Sequence, residues 1–282
     1  VLAAGVAQAD VSFSGKGEVS VAAATGADTM SVRSGYDLNV AVSGASDNGI
    51  TYSMGFDMGA GSLIDYNDDY EIDGQGATIA ASALTIGYAG VTIVAGQNKV
   101  DDLYDDQQNG DVGISGSFGS LSFSAVADTD DGASSNSFSL SGSADAITWG
   151  FVTTDNNAAV ADGDTDVDDN GGESASKVTV GLTVSDALSL SFKHDTKGSA
   201  EAVNTLGATY AMGSVTLGLS GADDDTTDYS VGYAAGPLSV AFATDESDNW
   251  EFNSTYNLGG GAQAFVSTNH SEFAAIGMSF AF

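Results

Sequence analysis

The 282-residue chain sets 39 Asp and Glu against 6 Lys and Arg, a formal charge of −33, and has one Pro and no Cys. So few cations cannot build the basic face that neutralises phosphates, which excludes nucleic acid as a partner, and the lack of Cys removes disulfides, thiolate zinc sites and a cysteine nucleophile. Its 42% hydrophobic and 9% aromatic content is far above the composition that leaves acidic chains unfolded.

Residues 1–9 read VLAAGVAQA, an apolar run with Ala7 and Ala9 at the −3 and −1 positions of a secretory cleavage site. The expectation is a remnant of a secretory signal peptide over 1–9 and a single domain over 10–282. No other stretch nears the roughly 18 apolar residues of a membrane helix, so any membrane crossing must use strands. From Asp10 onward, period-2 alternation dominates. Val11, Phe13, Val19 and Val21 share one parity, with Ser12, Ser14, Lys16, Glu18 and Ser20 on the other. Residues 29–43 set Met30, Val32, Tyr36, Leu38, Val40 and Val42 against Arg33, Asp37 and Asn39, and residues 50–58 set Ile50, Tyr52, Met54, Phe56 and Met58 against Thr51, Ser53, Gly55 and Asp57.

Later segments come in pairs across tight turns: 78–88 and 91–98 about Ala89-Gly90, 111–118 and 121–127 about Gly119-Ser120, and 177–185 and 188–194 about Asp186-Ala187. Residues 206–211 and 215–221 flank Met212-Gly213, and 229–234 and 238–244 flank Ala235-Gly236-Pro237. The other connections are long and acidic: 63–76, 99–110, 128–132, 155–173, 195–202, 222–226 and 245–249. Strict alternation of short turns with long loops is the mark of a transmembrane barrel, whose two rims differ in this way. The predicted fold is therefore all-β, a transmembrane antiparallel β-barrel of 16 to 18 strands with short periplasmic turns and long acidic external loops, wide enough for an aqueous lumen. Tyr36, Tyr88, Trp149, Tyr210, Tyr233, Trp250 and Tyr256 fall on the apolar parity near segment ends, as interfacial aromatic girdles do.

Within residues 76–106, Tyr88-Ala89-Gly90-Val91-Thr92-Ile93, Ala95-Gly96-Gln97-Asn98 and Leu103-Tyr104-Asp105 resemble the hairpin of general proteobacterial porins that leads into a third loop folded into the bore. The ending Ala275-Ile276-Gly277-Met278-Ser279-Phe280-Ala281-Phe282, and more loosely Tyr256-Asn257-Leu258-Gly259-Gly260-Gly261, resembles the closing strands of the family, a terminal Phe being the signal read by the barrel assembly machinery. The likeness is strongest to the small porins of α-proteobacteria. It implies passive diffusion of small hydrophilic solutes and ions, the outer membrane of a Gram-negative bacterium with its lipid and lipopolysaccharide, and a homotrimer. Family constrictions set basic residues of the wall against acids of the third loop. Here the wall offers Lys16 and Arg33, with Lys177 and Lys193 as distant additions, and the constriction is expected from Lys16, Arg33, Asp37, Asp101, Asp102, Asp105 and Asp106. At about a dozen residues the third loop is short for a deep constriction.

Acidic loops raise local cation concentration and repel anions, so cation selectivity is expected. Asp162, Asp164, Asp166, Asp168 and Asp169 alternate as in calcium loops, without the spacing or closing Glu of an EF-hand, and are a candidate calcium site. His194 and His270, the two histidines, sit in no nucleophile or zinc motif, so no catalysis is expected. The rival reading is an acidic, calcium-binding structural or surface-layer-like β protein without transport activity.

Overall fold

The computed structural model describes residues 9–67, 69–76, 79–104, 109–129, 136–155, 174–198 and 200–282. Among them are β1 (Ala9–Ala23), β2 (Ser31–Ala45), β3 (Thr51–Ile64), β4 (Ile72–Gln75), β5 (Ala80–Ala81), β6 (Leu84–Tyr88), β7 (Val91–Asp101), β8 (Asn109–Phe118), β9 (Leu121–Ala127) and β10 (Asn136–Ala144). There follow β11 (Ile147–Thr154), β12 (Ala175–Thr183), β13 (Leu188–Lys197), β14 (Val203–Met212), β15 (Val215–Ala222), β16 (Thr227–Ala235), β17 (Leu238–Asp245), β18 (Trp250–Gly259), β19 (Ala262–Asn269) and β20 (Ala274–Ala281). All pairings are antiparallel, each strand pairing with its sequence neighbours except that β4, β5 and β6 line up along β3, and β1 pairs with β20 from Lys16↔Ala281 to Ala23↔Ala274. That last ladder closes the sheet, and Gly15 and Phe282 exchange two backbone hydrogen bonds of 3.1 Å beside it.

β4, β5 and β6 all pair with β3 and are successive pieces of one barrel strand, so the circle holds eighteen. The sequence pattern predicted one unbroken strand over 78–88. The strand is interrupted instead at Ser82, whose Oγ accepts a hydrogen bond from the Gly55 N–H at 2.7 Å and whose own N–H donates to the Gly55 carbonyl at 2.9 Å. A side chain thus completes the ladder where the backbone cannot, which satisfies groups that would otherwise be orphaned. Three predicted loops also begin two or more residues later than expected. β3 runs on to Ile64, β7 to Asp101, and β13 runs on past His194, which puts Asp195 and Lys197 on the wall.

The turns follow the alternation. Ala89 and Gly90 both take positive φ, 51° and 84°, as the mirror-image turn matching strand twist requires. After β12 the connection is wider than Asp186-Ala187 alone: the Leu188 N–H donates to Ser185 Oγ at 3.2 Å, closing a four-residue loop. At the other rim, hairpins of equal length are clasped. Asp155 accepts from both the backbone and the side-chain amide of Asn136 (2.8 and 3.1 Å), Asp223 does the same for Asn204 (2.8 and 2.6 Å), and Glu246 accepts from the Thr227 N–H at 2.7 Å. Each acid lies 19 positions beyond its partner.

Apolar side chains point out of the barrel. Phe13, Val32, Phe118, Leu206, Leu219 and Val231 are all exposed, with Phe118 at 84%. A water-soluble sandwich would bury this face, whereas a lipid-facing wall displays it. Tyr88, Tyr210, Tyr233 and Tyr256 are exposed within four residues of the short turns, and Trp250 is exposed at the opposite rim. The buried apolar cluster lies inside the barrel, where Ala22, Ile64, Tyr66, Tyr70, Phe265, Phe273 and Ala275 meet.

Candidate functional site

Alternation dictates what the lumen sees. On β1 and β2 the inward parity presents Lys16, Glu18, Arg33 and Asp37, paired across the ladder as Lys16↔Asp37 and Ser20↔Arg33. Lys16 Nζ is 3.1 Å from Glu18 Oε2 and donates to the Ile64 carbonyl at 3.4 Å. Asp37 Oδ2 accepts from Asn39 Nδ2 at 2.9 Å, with the Asp57 carboxyl beside it. The Arg33 Nε is buried without a hydrogen-bond partner among the described residues.

The segment between β3 and β4, predicted as an external acidic loop, turns into the barrel. Glu18 Oε1 accepts the Ile64 N–H at 2.9 Å and so pins the loop's root to the wall. Tyr66 stacks on Phe265 with ring centres 4.2 Å apart and lies 4.9 Å from Lys16 Nζ. Gln263 Nε2 donates to the Tyr66 hydroxyl at 2.6 Å, and Ser267 Oγ donates to the Tyr66 carbonyl at 3.1 Å. Tyr70 meets Phe273 edge to face at 6.1 Å. Offset and edge contacts of this kind add about 0.5–1.5 kcal/mol each beyond area burial. Burial pushes the Tyr70 hydroxyl up from 10.0 to about 12, with help from the Glu251 and Asp65 carboxylates. The docked loop therefore favours the neutral phenol, and that stabilisation is full below pH 10 and lost as the pH rises through 12. A spectrophotometric titration is expected to show one phenol ionising near pH 12 that is missing from Tyr70→Phe; if the phenol lost in the variant ionises in the ordinary range near pH 10 instead, Tyr70 is not held in the loop.

The third loop also enters. Asp101 ends β7 opposite Asn109, after which Asp102 and Tyr104 are buried against β10 to β13. Asp102 Oδ1 accepts the Tyr104 N–H at 2.8 Å and its Oδ2 accepts from Thr154 Oγ1 at 3.2 Å. The Leu103 N–H donates to Ser137 Oγ at 2.9 Å, and the Tyr104 hydroxyl donates to Asp195 Oδ1 at 2.5 Å. Lys177 Nζ lies 4.7 Å from the Tyr104 ring centre. These anchors lie near the loop-side ends of β10, β11 and β13.

Two loops thus enter from one rim and lie on different walls, one over β18 to β20 and β1, the other over β10 to β13. Lys16, Arg33 and Asp37 belong to the first side and Asp102 to the second: Lys16 is engaged by Glu18 and Asp102 by Thr154 and Tyr104. Asp105, Asp106 and the calcium candidates Asp162, Asp164, Asp166, Asp168 and Asp169 lie outside the described residues. At the loop rim, Asp223 is held below the usual carboxylate range by the Asn204 side chain, and Asp224 by the Thr226 hydroxyl.

Sequence reading missed the inward turn of residues 65–67 and 69–71. Its signal was an apolar residue on the wrong parity, for Phe265 sits between Gln263 and Ser267 on the lumen side of β19 and needs a partner there.

No protein-family model matches the chain, and no curated protein matches its sequence. Solved structures do match. A triple mutant of Rhodopseudomonas blastica porin aligns with a TM-score of 0.56 at 16% identity, over 97% of this chain and 100% of that one. A double tryptophan variant of the same porin gives 0.54 at 17%, and a further porin gives 0.55 at 13%, each with the same coverage. The likeness is one of fold, and it spans nearly the whole chain.

Proposed function

We propose that this barrel is a porin-type channel in the outer membrane of a Gram-negative bacterium, a conduit and not an enzyme, through which small hydrophilic solutes and ions diffuse passively with cations favoured. The observation that carries the reading is a closed eighteen-strand wall whose apolar parity faces outward and whose hydroxyl-rich parity faces the centre. A wall of that circumference leaves an aqueous bore, here narrowed by the loops bearing Tyr66 and Tyr104. The formal charge of −33 and carboxylates such as Asp155, Asp223, Asp224 and Glu246 at one mouth support the preference for cations. Homotrimeric assembly, contact with lipid and lipopolysaccharide, and insertion by the barrel assembly machinery belong to the same proposal. In a planar bilayer the purified protein is expected to give stepwise conductance, with a reversal potential in a salt gradient of the sign set by cation permeation. A protein that gives no steps, or anion-selective ones, would overturn the reading.

A further inference from the structure

Three of the chain's six cations, Lys177, Lys193 and Lys197, stand on the lumen face of just two adjacent strands, β12 and β13. Their surroundings differ. Lys177 lies by the Tyr104 ring and pairs across the ladder with Asp195. Lys193 has no ion-pair or hydrogen-bond partner among the described residues, and neither do the four hydroxyls of Thr148, Thr179, Ser191 and Thr205 around it. Register sets this group out in two rows. Thr179, Lys193 and Thr205 stand side by side on β12, β13 and β14, and in the row towards the short turns Thr148, Gly181 and Ser191 follow on β11, β12 and β13. Gly181 forms the floor, since a β-carbon there would lie 2.5 Å from Thr148 Oγ1. Together with Val180 and Phe192 these residues line an open cavity of about 390 Å³ on the wall.

One ammonium beside several hydroxyls, none with a partner among the described residues, offers a positive charge and several O–H donors, a set that suits an oxyanion, while the ammonium repels a cation. We propose that this cavity is a wall site for small solutes bearing a phosphate or carboxylate group, a local exception in a lumen that favours cations. Acidity at the rim does not forbid it. Lys193 is four residues from the end of β13, roughly 13 Å along the strand, beyond the screening length of about 8 Å at 0.15 M salt; the nearer carboxylate on its face, Asp195, accepts the Tyr104 hydroxyl and stands opposite Lys177. The proposal rests on the channel reading only in that solutes must reach the wall through water.

Calorimetry of the detergent-solubilised barrel with inorganic phosphate, and separately with acetate, tests it. Saturable binding of either anion is expected, weakened at least tenfold in K193Q, kept in K193R and reduced several-fold in T179V; whichever anion binds names the headgroup. T179V serves as the second variant should K193Q lose the heat-modifiable gel migration of a folded barrel. The absence of saturable binding, or equal affinity in wild type and both K193Q and T179V, overturns the site. Bilayer recording separates the two proposals: conductance steps without anion binding remove the site and keep the channel, while binding without steps does the reverse.

Discussion

Arginine in place of Val231 is expected to destabilise the membrane-inserted barrel by about 2–4 kcal/mol. Val231 stands at the middle of β16 with its side chain turned outward and 46% exposed, so a cation there must enter hydrocarbon. Ser230, the adjacent residue, faces the lumen with its Oγ over Gly218. Ser230→Arg is expected to cost less than about 1 kcal/mol, since its guanidinium stays in water, and to move the reversal potential towards anions. Denaturant-dependent folding into lipid vesicles measures both. Equal costs for the two variants, or a larger cost at Ser230, would show that the greasy face does not meet lipid.

Removing the Tyr66 ring is the second large effect. Tyr66 is buried in the loop between β3 and β4, stacked on Phe265 and bonded to Gln263 and Ser267. Truncating an aromatic so placed costs about 3–5 kcal/mol, more than the modest apolar contact left at Ile64 and Tyr70 can hold against the conformational entropy of a seven-residue loop, at about 1–2 kcal/mol per residue. Tyr66→Ala is therefore expected to free the loop, raising single-channel conductance and adding current noise, while the barrel keeps its heat-modifiable migration because the loop is no part of the closing ladders. Conductance equal to wild type would mean that the loop does not narrow the path.

What the sequence disclosed and what it hid divide along a physical line. Strands and turns were legible because each is decided within a few residues: alternation assigns a face, as in Val32 against Arg33, and a positive φ at Gly90 needs a residue free to adopt it. Even the circle could be counted to within two strands. The break at Ser82 was hidden, because it arises from a hydrogen bond to Gly55 on the neighbouring strand, 27 positions away. The inward turn of the loop between β3 and β4 was hidden for the same reason. Tyr66 sits among Asp residues and reads as solvent-facing until Gln263, 197 positions distant, supplies its partner; for the third loop the resemblance pointed inward, and the anchor of Tyr104 on Asp195, 91 positions away, was what stayed hidden. Lys193 was visible as an inward cation, but three of its four hydroxyl neighbours come from three other strands, and only register brings them together.

The order of strands around the circle also constrains how the chain reaches its native state. Each hairpin joins neighbours through a short or moderate connection, and only the ladder from Lys16↔Ala281 to Ala23↔Ala274 joins residues almost a full chain length apart. Loop-closure entropy grows only with the logarithm of length, so that final zipping costs roughly 2–3 kcal/mol more than forming a single hairpin. The difficulty lies elsewhere: until β20 meets β1, two long rows of unpaired N–H and C=O groups stand open at once, each a template for a neighbouring molecule. Deleting residues 274–282 would leave both rows permanently unsatisfied, turning a wall closed on itself into a sheet that recruits its own copies.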